Sequence, residues 1–137
     1  MGDTVLLNRH FDRDAVTGTR HGVAACAAGA GLTGPRLEAF VLAVNEIMTN
    51  AVRHGGGSGR IRLWRTVAGL ACEISDPGPA ATADRNPLDW PARNNGHRLP
   101  PTTATGGRGL WLARHLCDTM GVESGRGGTT VRLTISI

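Results

Sequence analysis

The stretch Ala43-Val-Asn-Glu-Ile-Met-Thr-Asn-Ala-Val-Arg-His54 places a carboxylate and a carboxamide, Glu46 and Asn50, four residues apart. Leu37, Val41, Val44, Met48 and Ala51 recur at helical intervals through and before it, so the segment reads as an amphipathic helix starting after Pro35 and ending near His54. Four residues is slightly more than one turn. Glu46 and Asn50 therefore project from one flank, away from the apolar stripe, and reach a common small volume. The run Gly55-Gly-Gly-Ser-Gly then ends the helix.

Outward from this helix the remaining elements follow from periodicity. Upstream, Thr4 to Arg9 reads as a first strand, and the alanine-rich stretch from Asp12 to Gly29 reads as a helix capped by Asp12 or Asp14. Arg20 and His21 fall on its exposed face. Downstream, Arg60 to Thr66 and Leu70 to Asp76 alternate as strands joined at Val67-Ala68-Gly69. In the second, Leu70, Cys72, Ile74 and Asp76 share one face, so Asp76 ends a strand on its buried side. The proline-rich stretch from Pro77 to Thr105 reads as a long loop of the kind that serves as a lid, with Leu88 and Trp90 pinning part of it. A helix is expected after Gly109, with Leu110, Ala113, Leu116, Cys117 and Met120 on one face and Gly121 closing it. Two strands follow, one around Val122 and one from Thr129 to Ile137, joined by Arg126-Gly-Gly.

Composition narrows the function classes. A chain of 137 residues is large enough for one domain with a single core. Cys26, Cys72 and Cys117 are far apart and lack metal-ligand spacing, so they read as core thiols. No run of about 18 apolar residues is present, and the first residues lack a basic segment followed by a long apolar run. A cytoplasmic location is therefore expected, without a membrane contact. The basic residues number 15 against 11 acidic ones, and all of them are arginine. They are spread along the chain, which argues against a direct nucleic-acid footprint. The absence of lysine excludes a phosphate loop of the Gly-Lys-Ser/Thr kind.

Three further segments carry chemistry. Asp76, acceptor-only when ionised, can take a hydrogen bond from an exocyclic amine such as that of adenine, while Gly78 lets a ligand approach the backbone. The Gly106-Gly107-Arg108-Gly109 segment stands before a helix, where backbone N–H groups can face phosphate oxygens and Arg108 can offset their charge. Asn50 offers an oxygen to magnesium, and Glu46 can orient or deprotonate a hydroxyl or water. Each feature has an ordinary alternative, namely a turn former, a loose loop or a solvated helix flank. His54 suits a helix end facing the dipole, and Thr129 suits a strand.

Taken together, Glu46-x3-Asn50, Asp76-x-Gly78, Gly107-x-Gly109-Leu110 and Gly128-Thr129 resemble the N box, the two glycine boxes and the terminal threonine of the GHKL ATPase superfamily. The resemblance spans roughly residues 4 to 136. Size and layout are similar to the stand-alone anti-sigma-factor serine kinases of the RsbW type, without dimerisation helices or a transducer domain. It implies an α/β two-layer sandwich of the Bergerat type, with helices on one face of a mixed, mainly antiparallel sheet and a long ATP lid at about 77–105.

By the same resemblance Glu46 is the catalytic carboxylate and Asn50 the magnesium ligand. Asp76, Gly78, His54, Gly106, Gly107, Arg108, Gly109, Leu110 and Thr129 line the ATP site. The implied partners are a sigma factor and an anti-sigma-factor antagonist phosphorylated on serine or threonine. Arg20 is near the protein partner by analogy, and self-association as a homodimer stays open. The chain departs from the family pattern at Ala80, which stands where a second glycine is usual, beside Pro79. That departure supports an alternative, a nucleotide-responsive binding module with little or no phosphotransfer. A third reading has Glu46 activate water rather than a protein hydroxyl.

Overall fold

A computed structural model describes residues 4–78, 114–125 and 127–137. Strand β1 (Thr4–Asp12) leads through a short 3-10 turn (Arg13–Ala15) into helix α1 (Val16–Ala30) and helix α2 (Gly34–His54). Strands β2 (Ser58–Arg65), β3 (Gly69–Asp76), β4 (Thr119–Gly125) and β5 (Gly128–Ser136) complete the described elements. The sheet runs β1-β2-β3-β5-β4, and each of these strand pairs is antiparallel. The expected α/β sandwich is therefore present, with both helices contributing to one core. The expected lid falls almost wholly outside the described residues.

Local chemistry explains the helix boundaries. The Asp12 carboxylate accepts a hydrogen bond from the Ala15 N–H at 3.0 Å, which starts the helical path. Gly31, at φ +116°, ends α1, with its N–H donating to Ala28 and that of Leu32 donating to Ala27. Pro35 stands in the first turn of α2, where its missing N–H costs nothing. Arg36 then ties the start of α2 to the end of β5 by donating to the Ser136 carbonyl at 2.9 Å.

The inner face of the sheet alternates as its sequence predicts. Ile61 and Leu63 of β2, Leu70, Cys72 and Ile74 of β3, and Val131, Leu133 and Ile135 of β5 are all buried under the helices. The buried face of α2 is wider than the stripe expected from spacing, since Phe40, Ala43 and Ile47 are also sealed while Leu37 and Val41 are only half-buried. The cause is double coverage, because α2 packs on β2 and β3 and also on α1. The buried residues of α1, Thr19, Val23, Ala27 and Ala30, are all small.

Thr19 is an exception within the core. It is fully buried, and its hydroxyl has no hydrogen-bond partner among the described residues. Exchange for valine keeps the shape and removes an unsatisfied polar group. Thr19→Val is expected to raise the unfolding free energy by about 1 kcal/mol, measured as a higher urea midpoint at unchanged slope.

One boundary expectation is corrected. The helix after Gly109 was expected to reach Met120 and close at Gly121, whereas residues 114–116 are helical and the chain is already strand from Thr119. Met120 pairs with Leu133 and Val122 with Val131. The free edge of β5 supplies a ladder that a helix would forgo, and the two-residue alternation of Met120 and Val122 places both against the core. The Asp118 N–H begins the pairing by donating to the Thr134 carbonyl at 2.8 Å.

Among the described residues no helix is long and apolar enough to cross a membrane. All three cysteines are free thiols. Burial pushes the Cys117 thiol up to about 12, and burial likewise raises that of Cys72. Neither thiol is available as a nucleophile near neutral pH.

Candidate functional site

The site is built around the end of β3, where three glycine-bearing segments close on Asp76. Asp76 is buried at 7 % exposure. Its Oδ1 accepts from the Gly78 N–H at 2.8 Å and lies 3.4 Å from the Thr129 N–H, so its own turn and the neighbouring strand fix the carboxylate. Register puts Asp76 opposite Thr129, and Thr129 opposite Ser124 of β4. The Thr129 and Ser124 hydroxyls are 3.3 Å apart, which forms a short polar row on the inner face of the sheet. Thr129 is itself buried at 6 % exposure.

The helix side of Asp76 is closed by the last turn of α2. A Cβ placed on Gly55 would sit 2.6 Å from Asp76 Oδ1, closer than real side chains allow, so only glycine lets the carboxylate pack against this helix end. Gly56 backs the adjoining turn in the same way, its hypothetical Cβ meeting the Gly78 carbonyl oxygen at 2.5 Å. The glycine run after α2 was expected only to stop the helix. It also makes room for Asp76, and the signal lay in its length, since one glycine suffices for a cap.

Gly128 is the third closing point. It adopts φ +112°, and a Cβ there would overlap the Asp76 carbonyl oxygen and lie 2.8 Å from the Gly78 nitrogen. Gly128→Ala is expected to destabilise the fold by about 2 to 3 kcal/mol through strain at this φ. Gly127→Ala, with open space around the new methyl group, serves as the control and is expected to change stability by less than about 0.5 kcal/mol. Chemical denaturation of the two variants separates the cases.

Along α2 the remaining residues follow in order. Asn50 is buried at 1 % exposure and Glu46 is half-buried. The expectation that both lie off the buried face is therefore corrected for Asn50. At about 1.5 Å per residue, Asn50 stands about 7.5 Å and Glu46 about 13.5 Å along the axis from the Gly55 level. Asp76, Asn50 and Glu46 thus form an ordered series starting at the helix end. His54, the last residue of α2, is half-exposed beside that end.

The model of the histidine kinase-like ATPase domain matches residues 10–135 of the chain. The chain belongs to this family. No curated protein matches it. Membership in the histidine kinase-like ATPases implies ATP binding, and the acceptor chemistry of Asp76 beside the glycine cradle fits an adenine amine. Among the sequence-predicted residues, Asp76, Gly78 and Thr129 are brought into direct contact, while His54, Asn50 and Glu46 lie at increasing distance from them along α2. Gly106, Gly107, Arg108, Gly109 and Leu110 lie outside the described residues, as does Ala80. Sequence reading missed Ser124, whose half-buried position on the inner face follows from its alternation with Val122.

Among the described residues no cluster of three or more His, Cys, Asp or Glu side chains is placed to hold a metal ion. A magnesium ion at Asn50 would take most of its shell from nucleotide oxygens and water, in keeping with its general habit in phosphate chemistry.

Proposed function

We propose that this histidine kinase-like ATPase domain is a protein serine/threonine kinase of the anti-sigma-factor type, acting in the cytoplasm. It transfers phosphate to a serine or threonine of an anti-sigma-factor antagonist and holds a sigma factor by protein contact. The observation that carries the reading is the ordered series of an acceptor-only carboxylate at the end of β3, packed against the C-terminal end of α2, followed by a carboxamide and a second carboxylate back along that helix. Asp76 receives the adenine amine, Asn50 steadies magnesium, and Glu46 orients or deprotonates the attacking hydroxyl. A module that only bound nucleotide would have no chemical need for Glu46 at that place. ATP supplies the transferable phosphoryl group, while the chain supplies position and charge.

The departure at Ala80 favours a second reading, a nucleotide-responsive binding module with little phosphotransfer. One incubation separates the two. With labelled ATP, magnesium and candidate antagonist proteins, the kinase reading predicts acid-stable label on serine or threonine. Binding of ATP with no label on any protein would overturn it in favour of the module. Release of labelled phosphate with no labelled protein would instead show that Glu46 directs water.

A further inference from the structure

The sheet face turned away from the core is ordered in cross-strand rows. Register sets His10, Arg60, Ser75 and Thr130 side by side over β1, β2, β3 and β5, and strand alternation turns them opposite to Ile61, Ile74 and Val131. The adjacent row is Asn8, Arg62, Glu73 and Arg132. There Glu73 is engaged by Arg132 at 2.6 Å and by Arg62 at 3.7 Å, and both guanidinium groups lie over the Trp64 ring. Arg60 differs. Its Nη1 donates to the neutral Asn8 Oδ1 at 3.2 Å, and among the described residues no carboxylate pairs with it.

A depression of about 400 Å3 opens over the first row, lined by His10, Ser58, Arg60, Ser75, Thr130 and Gly127. One guanidinium, one imidazole and three hydroxyls converge there from four strands. A carboxylate presents two oxygens in one plane, whereas donors arriving from several directions suit the three or more acceptor oxygens of a tetrahedral anion. We propose that this depression binds a phosphate group, with Arg60 as its principal charge and Ser58, Ser75 and Thr130 as hydroxyl donors.

Nearby carboxylates leave this reading intact. Asp76 also borders the depression, but its carboxylate lies against Gly55 on the α2 side with Oδ1 held by two backbone N–H groups. Asp12, opposite Ser58, caps the turn after β1, and Glu123, opposite Thr130, continues the row on β4; neither lines the cavity. The depression thus opens on the sheet face opposite to the proposed nucleotide site, shares only Asp76 with it as a border, and does not depend on the kinase reading.

The test is a titration of the isotopically labelled full chain with inorganic phosphate and, separately, with O-phosphoserine, followed by amide NMR. Saturable shifts are expected at Gly59, Ser75, Gly127 and Thr130, with a Kd on the order of 1 mM. Arg60→Gln, at an exposed position, is expected to weaken binding by about tenfold or more, while ATP affinity measured by calorimetry stays unchanged. Ser75→Ala gives a second variant with a smaller loss in the same direction. Tighter binding of O-phosphoserine identifies a monoester as the ligand, and equal binding identifies the free anion. Shifts that fail to saturate, or that persist at full strength in both variants, would overturn the proposal.

Discussion

Replacing Glu46 by glutamine is expected to lower phosphoryl transfer to a protein hydroxyl by about 10²- to 10⁴-fold, the range over which a positioned general base acts. Glutamine keeps the length and the helix propensity of the side chain, so α2 should be undisturbed. It removes the negative charge and, with it, the capacity to accept a proton. Glu46 stands one turn before Asn50 and well up the helix from Asp76, so nucleotide affinity should remain near that of the parent chain. Single-turnover transfer from labelled ATP measures the loss, and calorimetry checks binding on the same protein. Transfer at the parent rate by Glu46→Gln would remove the base role, whatever the outcome for ATP.

The second large effect concerns Asp76, where two substitutions dissect recognition from stability. Asp76→Ala removes the acceptor assigned to the adenine amine and is expected to weaken ATP binding by about 1.5 to 3 kcal/mol, the range for hydrogen bonds to charged groups. It also strips the Gly78 and Thr129 N–H groups of their shared partner, so stability should fall by about 1 to 3 kcal/mol. Asp76→Asn keeps an oxygen for those N–H groups while presenting an amide NH2 donor where an acceptor is needed. It should therefore preserve most of the stability and still lose ATP affinity. Equal ATP affinity in the asparagine variant and the parent would show that the adenine does not meet Asp76.

Much of this arrangement is legible in the chain because its signals are local. Alternation in Leu70 to Asp76 places Asp76 on the buried side, and the four-residue spacing of Glu46 and Asn50 puts them on one flank. Elements whose form depends on distant partners are less legible. Met120 carries both a helical and a strand period, and only the open edge of β5 decides between them. The burial of Asn50 and Phe40 depends on what the rest of the fold lays over α2, which no feature of the 43–54 stretch encodes. The link between Gly55, Gly56, Gly128 and Asp76 is similar, since it joins parts of the chain far apart in sequence and appears only when the sheet assembles.

The same contrast bears on the outer face. Arg60, Ser75 and Thr130 read singly as solvated strand residues, each in a different segment. Their juxtaposition with His10 is a product of register, and register is set by the inner face, where a one-residue slip would expose Ile61, Ile74 and Val131 together. The hydrophobic core thus fixes the polar rows on both sides of the sheet.

A crystal structure of the chain with magnesium and a non-hydrolysable ATP analogue tests the central claim most directly. The account predicts the adenine amine on the Asp76 carboxylate, magnesium against the Asn50 oxygen, and the terminal phosphate beside Glu46. A nucleotide seated elsewhere, with these three side chains out of contact with it, would contradict the account.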